Sequence, residues 1–190
     1  MNTDWQMNIL RNGLIVAALS AVVGCAYNAY RVSSGDPISR LSFDLATDST
    51  GTTGKWFRVY SYRDLSCAPS ERGWIVAMTS ALGSATTGDT LGPVDIRAGE
   101  PFTFVVSYAE SRFAQNRECS FTASFTPEAG RAYRASFAVT KQSNVCNLQI
   151  EDDRNTRVSY ATPEDSCYQG LVGRMPNGGG GTLRYNIQIR

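Results

Sequence analysis

Residues Phe102, Phe104, Val106 and Tyr108 fall at every second position of one run, which puts them on a single face of a β-strand, and that face belongs in a core. The same period recurs downstream. Cys119, Phe121, Ala123 and Phe125 alternate with Ser and Thr, and Tyr133, Ala135, Phe137 and Val139 alternate in their turn. The five residues between them, Thr126-Pro127-Glu128-Ala129-Gly130, are turn formers, with Pro fixing one dihedral and Gly able to take a positive φ. The pattern predicts a hairpin of these two strands with matched apolar faces. Cys146, Leu148 and Ile150 mark a third strand, which ends at Glu151-Asp152-Asp153.

Upstream, Leu41, Phe43 and Leu45 alternate with polar neighbours, and residues 55–62 and 74–79 are rich in aromatic and β-branched residues. Residues 94–96 read as a short strand after a turn over 88–93, and 183–190 as a last strand after a flexible glycine loop over 176–181. No amphipathic helix appears after residue 25. Eight or nine short strands punctuated by turns predict an all-β fold, an antiparallel β-sandwich of the immunoglobulin or transthyretin-like kind. A small closed barrel is the competing architecture, and the uneven strand lengths favour the sandwich.

One stretch breaks the pattern. Leu14 through Cys25 carries no charge and no Pro and is too short for a membrane-spanning helix, which needs roughly 20 apolar residues. It fits the apolar region of a secretory signal, about 7–15 residues long. Arg11 supplies the positive charge before it, and Met7 makes a better start than Met1, because Asp4 and Trp5 are foreign to such a region. Val22-Val23-Gly24-Cys25 resembles the lipobox of bacterial lipoproteins. The resemblance implies cleavage between Gly24 and Cys25, with diacylglycerol and an N-acyl chain on Cys25; two or more chains hold a protein stably on a membrane. Ala26 in place of Asp implies the outer membrane, facing the periplasm. The expected organisation is a signal peptide over 1–24, a lipidated tether over 25–37 without periodicity, and a β-domain over 38–190. A membrane anchor or a buried helix is the plainer reading of the apolar run.

Removing Cys25 from the five Cys leaves Cys67, Cys119, Cys146 and Cys167. An even number in an exported chain reads as two disulfides, and the close pairs of a zinc site are missing. Cys119–Cys146 with Cys67–Cys167 is the expected pairing; Cys67–Cys119 with Cys146–Cys167 is the fallback. The first pairing meets an obstacle. In a flat three-strand meander Cys119 and Cys146 would sit two strand spacings apart, about 9.6 Å, beyond the ~7 Å reach of a disulfide between Cα atoms. It therefore requires facing sheets or splayed strands.

The chain has no His, which removes the usual general base and the commonest metal ligand. Its net charge of +1 offers no field for nucleic acid, and the excess of Arg over Lys carries no basic run. Gly178 to Gly181 lacks the Lys-Ser or Lys-Thr of a phosphate loop. Glu151-Asp152-Asp153 lacks the spacing of a calcium loop. Ser143 near Lys141 sits in a polar loop rather than a desolvated pocket. No catalytic residue, metal or cofactor is expected. Trp56, Tyr60 and Tyr62 share one face of a strand, with Trp74 nearby, and form either an aromatic binding platform or a surface buried by the tether or the Cys67 loop.

The order of these segments, from the lipobox through 59–67, 98–104, Cys119 and 125–133 to Cys146, resembles a group of uncharacterised proteobacterial envelope lipoproteins. That resemblance implies an exported β-domain and no known activity. The functional expectation is a lipid-anchored, non-catalytic envelope protein that binds a protein partner or supports an envelope assembly. A carbohydrate or peptidoglycan binder, or a lysozyme-type inhibitor, is the alternative; an unrecognised hydrolase is the weakest of the three.

Overall fold

The computed structural model describes residues 29–49, 54–69, 72–81, 89–113, 115–140, 145–171 and 173–184. Among them run eleven strands: β1 (Ile38–Thr47), β2 (Gly54–Tyr62), β3 (Gly73–Ala81), β4 (Asp89–Arg97), β5 (Phe102–Arg112), β6 (Gln115–Phe125), β7 (Ala132–Val139), β8 (Cys146–Asp152), β9 (Asp165–Gly170), β10 (Gly173–Pro176) and β11 (Gly180–Arg184). They form a five-stranded sheet in the order β11-β6-β5-β2-β3, a four-stranded sheet in the order β4-β1-β7-β8, and a separate β9–β10 hairpin. The fold is an all-β sandwich. Every pairing is antiparallel except β1 with β7, which run parallel from Arg40↔Ala132 to Thr47↔Val139.

The alternating residues fill the space between the two sheets. Leu41, Phe43 and Leu45 of β1 and Ala135, Phe137 and Val139 of β7 face Phe57 and Val59 of β2 and Phe102, Phe104 and Val106 of β5. Rings meet across the gap: Phe43 and Phe104 are 5.6 Å apart between centroids, Phe57 and Phe137 6.2 Å, and Phe125 and Tyr133 5.1 Å. These edge-on arrangements suit the aromatic quadrupole.

The expected β6–β7 hairpin is not formed. Strand β6 pairs with β5 and β11, whereas β7 pairs with β1 and β8 in the opposite sheet. The turn over 126–131 is a corner between layers, held where Gly130 N donates to Ile38 O and Gly99 N donates to Pro127 O, both at 2.8 Å. Matched apolar faces are met equally well by strands lying side by side and by strands facing each other across a core, and alternation alone does not separate the two. The crossing removes the obstacle to the Cys119–Cys146 pair. With the two strands on facing sheets their Cα atoms lie 6.1 Å apart and the sulfurs are bonded.

Three further segments depart from the sequence reading. Residues 88–93 are not simply a turn, because β4 runs from Asp89 through Pro93 and its pairing shifts register against Leu41 and Phe43. A Pro is tolerated there because β4 is an edge strand. The glycine stretch expected to be a flexible loop is bound on both sides: Gly178 N donates to Ser120 O at 2.9 Å, Cys146 N donates to Gly178 O at 3.0 Å, and Gly180 and Gly181 pair with Cys119 and Glu118 in β11. The remainder of the last strand, 185–190, lies outside the described residues, as do Gly24, Cys25, Lys141 and Ser143.

The stretch 30–37, expected as part of a free tether, is docked. The Tyr30 ring packs on Phe102 at 5.3 Å and its hydroxyl accepts from Arg97 N at 3.0 Å. Asp36 pairs with Arg97 at 3.2 Å, and Ala98 N donates to Pro37 O at 2.8 Å. An isolated aromatic has no period to betray it, so the burial of Tyr30 was invisible in the pattern.

Candidate functional site

Strand β2 sends Phe57 and Val59 into the core and Trp56, Arg58, Tyr60 and Tyr62 to the outer face of the five-stranded sheet. The β9–β10 hairpin lies over part of that face. Cys67 and Cys167 are bonded there with their Cα atoms 5.1 Å apart. Tyr168 stacks on Tyr60 at 6.4 Å, and Tyr62 Oη donates to Cys167 O at 3.2 Å. The Arg72 guanidinium sits 5.1 Å from the centre of the Tyr60 ring. Burial pushes the Tyr60 and Tyr62 phenols above their usual range.

Tyr60 and Tyr62 are each only 7% exposed, so neither belongs to an open aromatic platform. The cover is a strand hairpin held by the Cys67–Cys167 bond, a segment the sequence reading did not place here. Trp74 pairs with Tyr60 through the backbone; its side chain lies outside the described residues. Of the three whose side chains are described, Trp56 alone remains half-buried and open to a groove.

The groove has a volume of about 400 Å³ and lies where the hairpin stops short of the sheet end. Trp56, Arg58, Ser111 and Asn116 line its floor, and Tyr168, Gln169 and Leu171 its wall. Gly170 lets the wall come close, because a Cβ there would fall 2.1 Å from Glu118 Oε2. That close approach lets Leu171 N donate to the buried Glu118 carboxylate at 2.7 Å. Arg58 Nη1 donates to Tyr168 Oη at 3.1 Å, fixing the cation at the groove's inner end. Leu171 itself is 62% exposed.

This groove sits at one pole of the sandwich. Register places Thr47, Gly54, Ala81, Asp89, Arg112, Gln115, Val139 and Cys146 at that same end. Phe113 and Val145, two more exposed large apolar residues, lie at this pole, just after β5 and just before β8. Ile38, the remaining one among the described residues, lies at the opposite pole beside Arg97.

Inside the same pole is a polar cluster that the sequence reading missed. Glu110 is buried, and its carboxylate accepts from Tyr108 Oη and Arg112 Nε, both at 2.6 Å, and from Ser49 Oγ. Lys55 Nζ donates to the Ser49 carbonyl. Burial alone would raise the Glu110 carboxyl, but the bonds from Ser49, Tyr108 and Arg112 outweigh it and hold the group below the usual carboxylate range. Burial first, and then the bond to Glu110, push Tyr108 well above the usual phenol range. The adjoining cavity measures about 10 Å³, room for about one water and not for a substrate. One signal was available: Glu110 continues the alternation of Phe102 to Tyr108, so the period aims it inward. Nothing in the pattern pointed to Gln169 or Leu171.

The acidic run at the end of β8 is spent on local structure. Arg131 reaches Asp152 at 2.7 Å and Asp153 at 2.6 Å, and Asp152 Oδ1 accepts from Arg154 N and Thr156 N. No family model matches the chain, and neither a curated protein nor a solved structure matches it.

Proposed function

We propose that the protein is a lipid-anchored, non-catalytic domain of the bacterial cell envelope that binds a protein partner through the pole carrying the groove. The observation behind this reading is the meeting of Trp56 and Leu171 in one groove that also offers Arg58, Asn116 and Gln169, with exposed Phe113 in the β5–β6 turn at the same pole. Exposed apolar side chains set among a few polar groups are the usual make-up of a protein-binding surface. The membrane part of the proposal rests on Cys25 and the residues before it. Outer-membrane attachment facing the periplasm follows from Ala26 by the same resemblance.

A photo-crosslinking residue placed at Leu171 or Phe113 in the native envelope is expected to trap one protein. The same residue at Ala129, on the opposite pole, is expected to trap none, and Trp56→Ala is expected to abolish the product. Equal trapping from both poles, or none from either, would refute the reading.

Trp56 beside Asn116 and Gln169 also suits a sugar ring, through stacking and hydrogen bonds to hydroxyls, so a carbohydrate or peptidoglycan ligand is the second reading. Co-sedimentation with peptidoglycan that Trp56→Ala weakens would favour it, and a lysozyme inhibition assay tests the inhibitor form directly.

A further inference from the structure

The docking of Tyr30 fixes how far the domain can stand from a membrane, and which pole faces it. This rests on the acylation of Cys25 proposed above. Five residue steps separate Cys25 from Tyr30. A fully extended chain covers at most about 3.3–3.6 Å per residue, so Tyr30 lies within roughly 18 Å of the acylated sulfur's backbone. Had the leash run free to Ile38, its thirteen steps would have reached about 47 Å at the same spacing.

Tyr30 is held at a defined place. Its ring rests on Phe102 and its hydroxyl accepts from Arg97 N, both residues at strand ends remote from the groove. Gly73, the first residue of β3, has no side chain to keep it away: a Cβ there would come 3.2 Å from Tyr30 Cβ and 2.5 Å from Ser61 Oγ. From Gly73 the strand runs eight steps to Ala81 at the groove pole, about 27 Å at the rise of a β-strand. The short leash and the exposed apolar pole are therefore at opposite ends of the sandwich.

We infer that the Tyr30 pole is the membrane-proximal face of this protein, held against the lipid leaflet, and that the pole with Trp56, Phe113 and Leu171 is presented away from it. The occupant of the first pole is the leaflet that carries the anchor. The partner meets the second pole at a distance set by the length of the sandwich rather than by a flexible stalk. A free leash would let either pole approach the membrane. Tyr30 removes that freedom by tying the chain down before the first strand begins.

The test uses the full-length lipidated protein in vesicles of phosphatidylethanolamine and phosphatidylglycerol that carry an energy-transfer acceptor on the lipid headgroup. A fluorescent amino acid replaces Ala129, at the Tyr30 pole, or Phe113, at the groove pole. Transfer from position 129 is expected to exceed that from 113 several-fold. Inserting twelve Gly and Ser residues between Tyr27 and Asn28 leaves every docked residue in place and is expected to bring the two signals together; Tyr30→Ala should do the same, while Tyr30→Phe, which keeps the ring, should change little. Equal transfer from both positions in the unaltered protein would overturn the inference, and so would an insertion that leaves the ratio unchanged. Flotation with the vesicles separates this from the anchor reading. A protein that does not float, or that floats equally as Cys25→Ser, overturns both, whereas a protein that floats through Cys25 with equal transfer overturns the orientation alone.

Discussion

The five-stranded sheet is packed on its inner face and on part of its outer face, by two different kinds of packing. Its inner face meets the other sheet through Phe57, Phe104, Val106 and Phe125, large apolar side chains that interlock across the gap. Its outer face, under the β9–β10 hairpin, is built from small hydroxyl residues and tyrosines. Thr103 Oγ1 donates to Ser124 Oγ at 2.9 Å, Thr122 Oγ1 lies 3.1 Å from Ser166 Oγ, and Cys167 N donates to Thr122 Oγ1 at 2.9 Å. Asn177 extends this layer, its amide oxygen accepting from Thr122 N at 2.6 Å and its amide nitrogen donating to Thr122 O at 2.9 Å. The inner layer is held by the apolar area it removes from water. The outer buries few large apolar groups and depends on paired hydroxyls and one covalent bond. A short hairpin has too little core of its own to stay in place, and Cys67–Cys167 compensates.

The largest effect should come from the inner layer. Phe104 is fully buried against Phe43, Phe102 and Phe125, and Phe104→Ala is expected to lower global stability by about 3–5 kcal/mol. The urea midpoint checks it; a loss below about 1 kcal/mol would mean that the two sheets do not interlock as described.

Removing the outer staple comes next. Cys67→Ala with Cys167→Ala is expected to cost about 2–4 kcal/mol, with its first consequence local. Amide exchange should accelerate over 165–176 and at Tyr60 and Tyr62 while β1 and β7 stay protected. Uniform acceleration across both sheets would show that the two faces are not energetically distinct.

Acid probes the polar end of the inner layer. The Glu110 carboxyl is held below its unfolded value, so its contribution is complete at pH values above the unfolded carboxylate range. It fades as pH falls through the lower folded value, since only the ionised form accepts all the bonds it is offered. Thermal stability should therefore decline below about pH 4. Tyr108→Phe, which removes one of those bonds, should bring the folded value closer to the unfolded one and so make the acid-dependent loss smaller; an unchanged acid profile would count against the cluster.

The smallest effect belongs to Tyr168→Phe. It removes the acceptor for Arg58 Nη1 and leaves the ring stacked on Tyr60, and should cost about 0.5–1.5 kcal/mol with the hairpin still in place. A larger loss would show that hydrogen bonding, and not the disulfide, fixes the outer layer.

Much of this was legible in the chain and some was not, for particular reasons. The even positions of β5 and the odd positions of β6 declare an inner face by their size and lack of charge. The opposite positions, Thr103, Val105 and Ser107 with Ser120, Thr122 and Ser124, are also uncharged, a sign that the outer face is covered too. The reading of residues 102–125 by a single face passed over that sign. The groove was hidden for a different cause. Trp56 and Leu171 are 115 positions apart, and only the placement of the hairpin brings them to one rim.

The sequence by itself determined most of the strands, though not β9 or β10, their inward faces, the all-β class and the requirement that a Cys119–Cys146 bond have facing sheets or splayed strands. These follow from a two-residue period and from the fixed reach of a disulfide, both local properties of the chain. Only the tertiary structure decided that β6 and β7 part into different layers, that β1 runs parallel to β7, that a hairpin covers Tyr60 and Tyr62, and that Tyr30 is tied down at the pole opposite the groove. Each of those is a choice among arrangements with the same periodicity, and it is settled by which surfaces fit once all the strands are present.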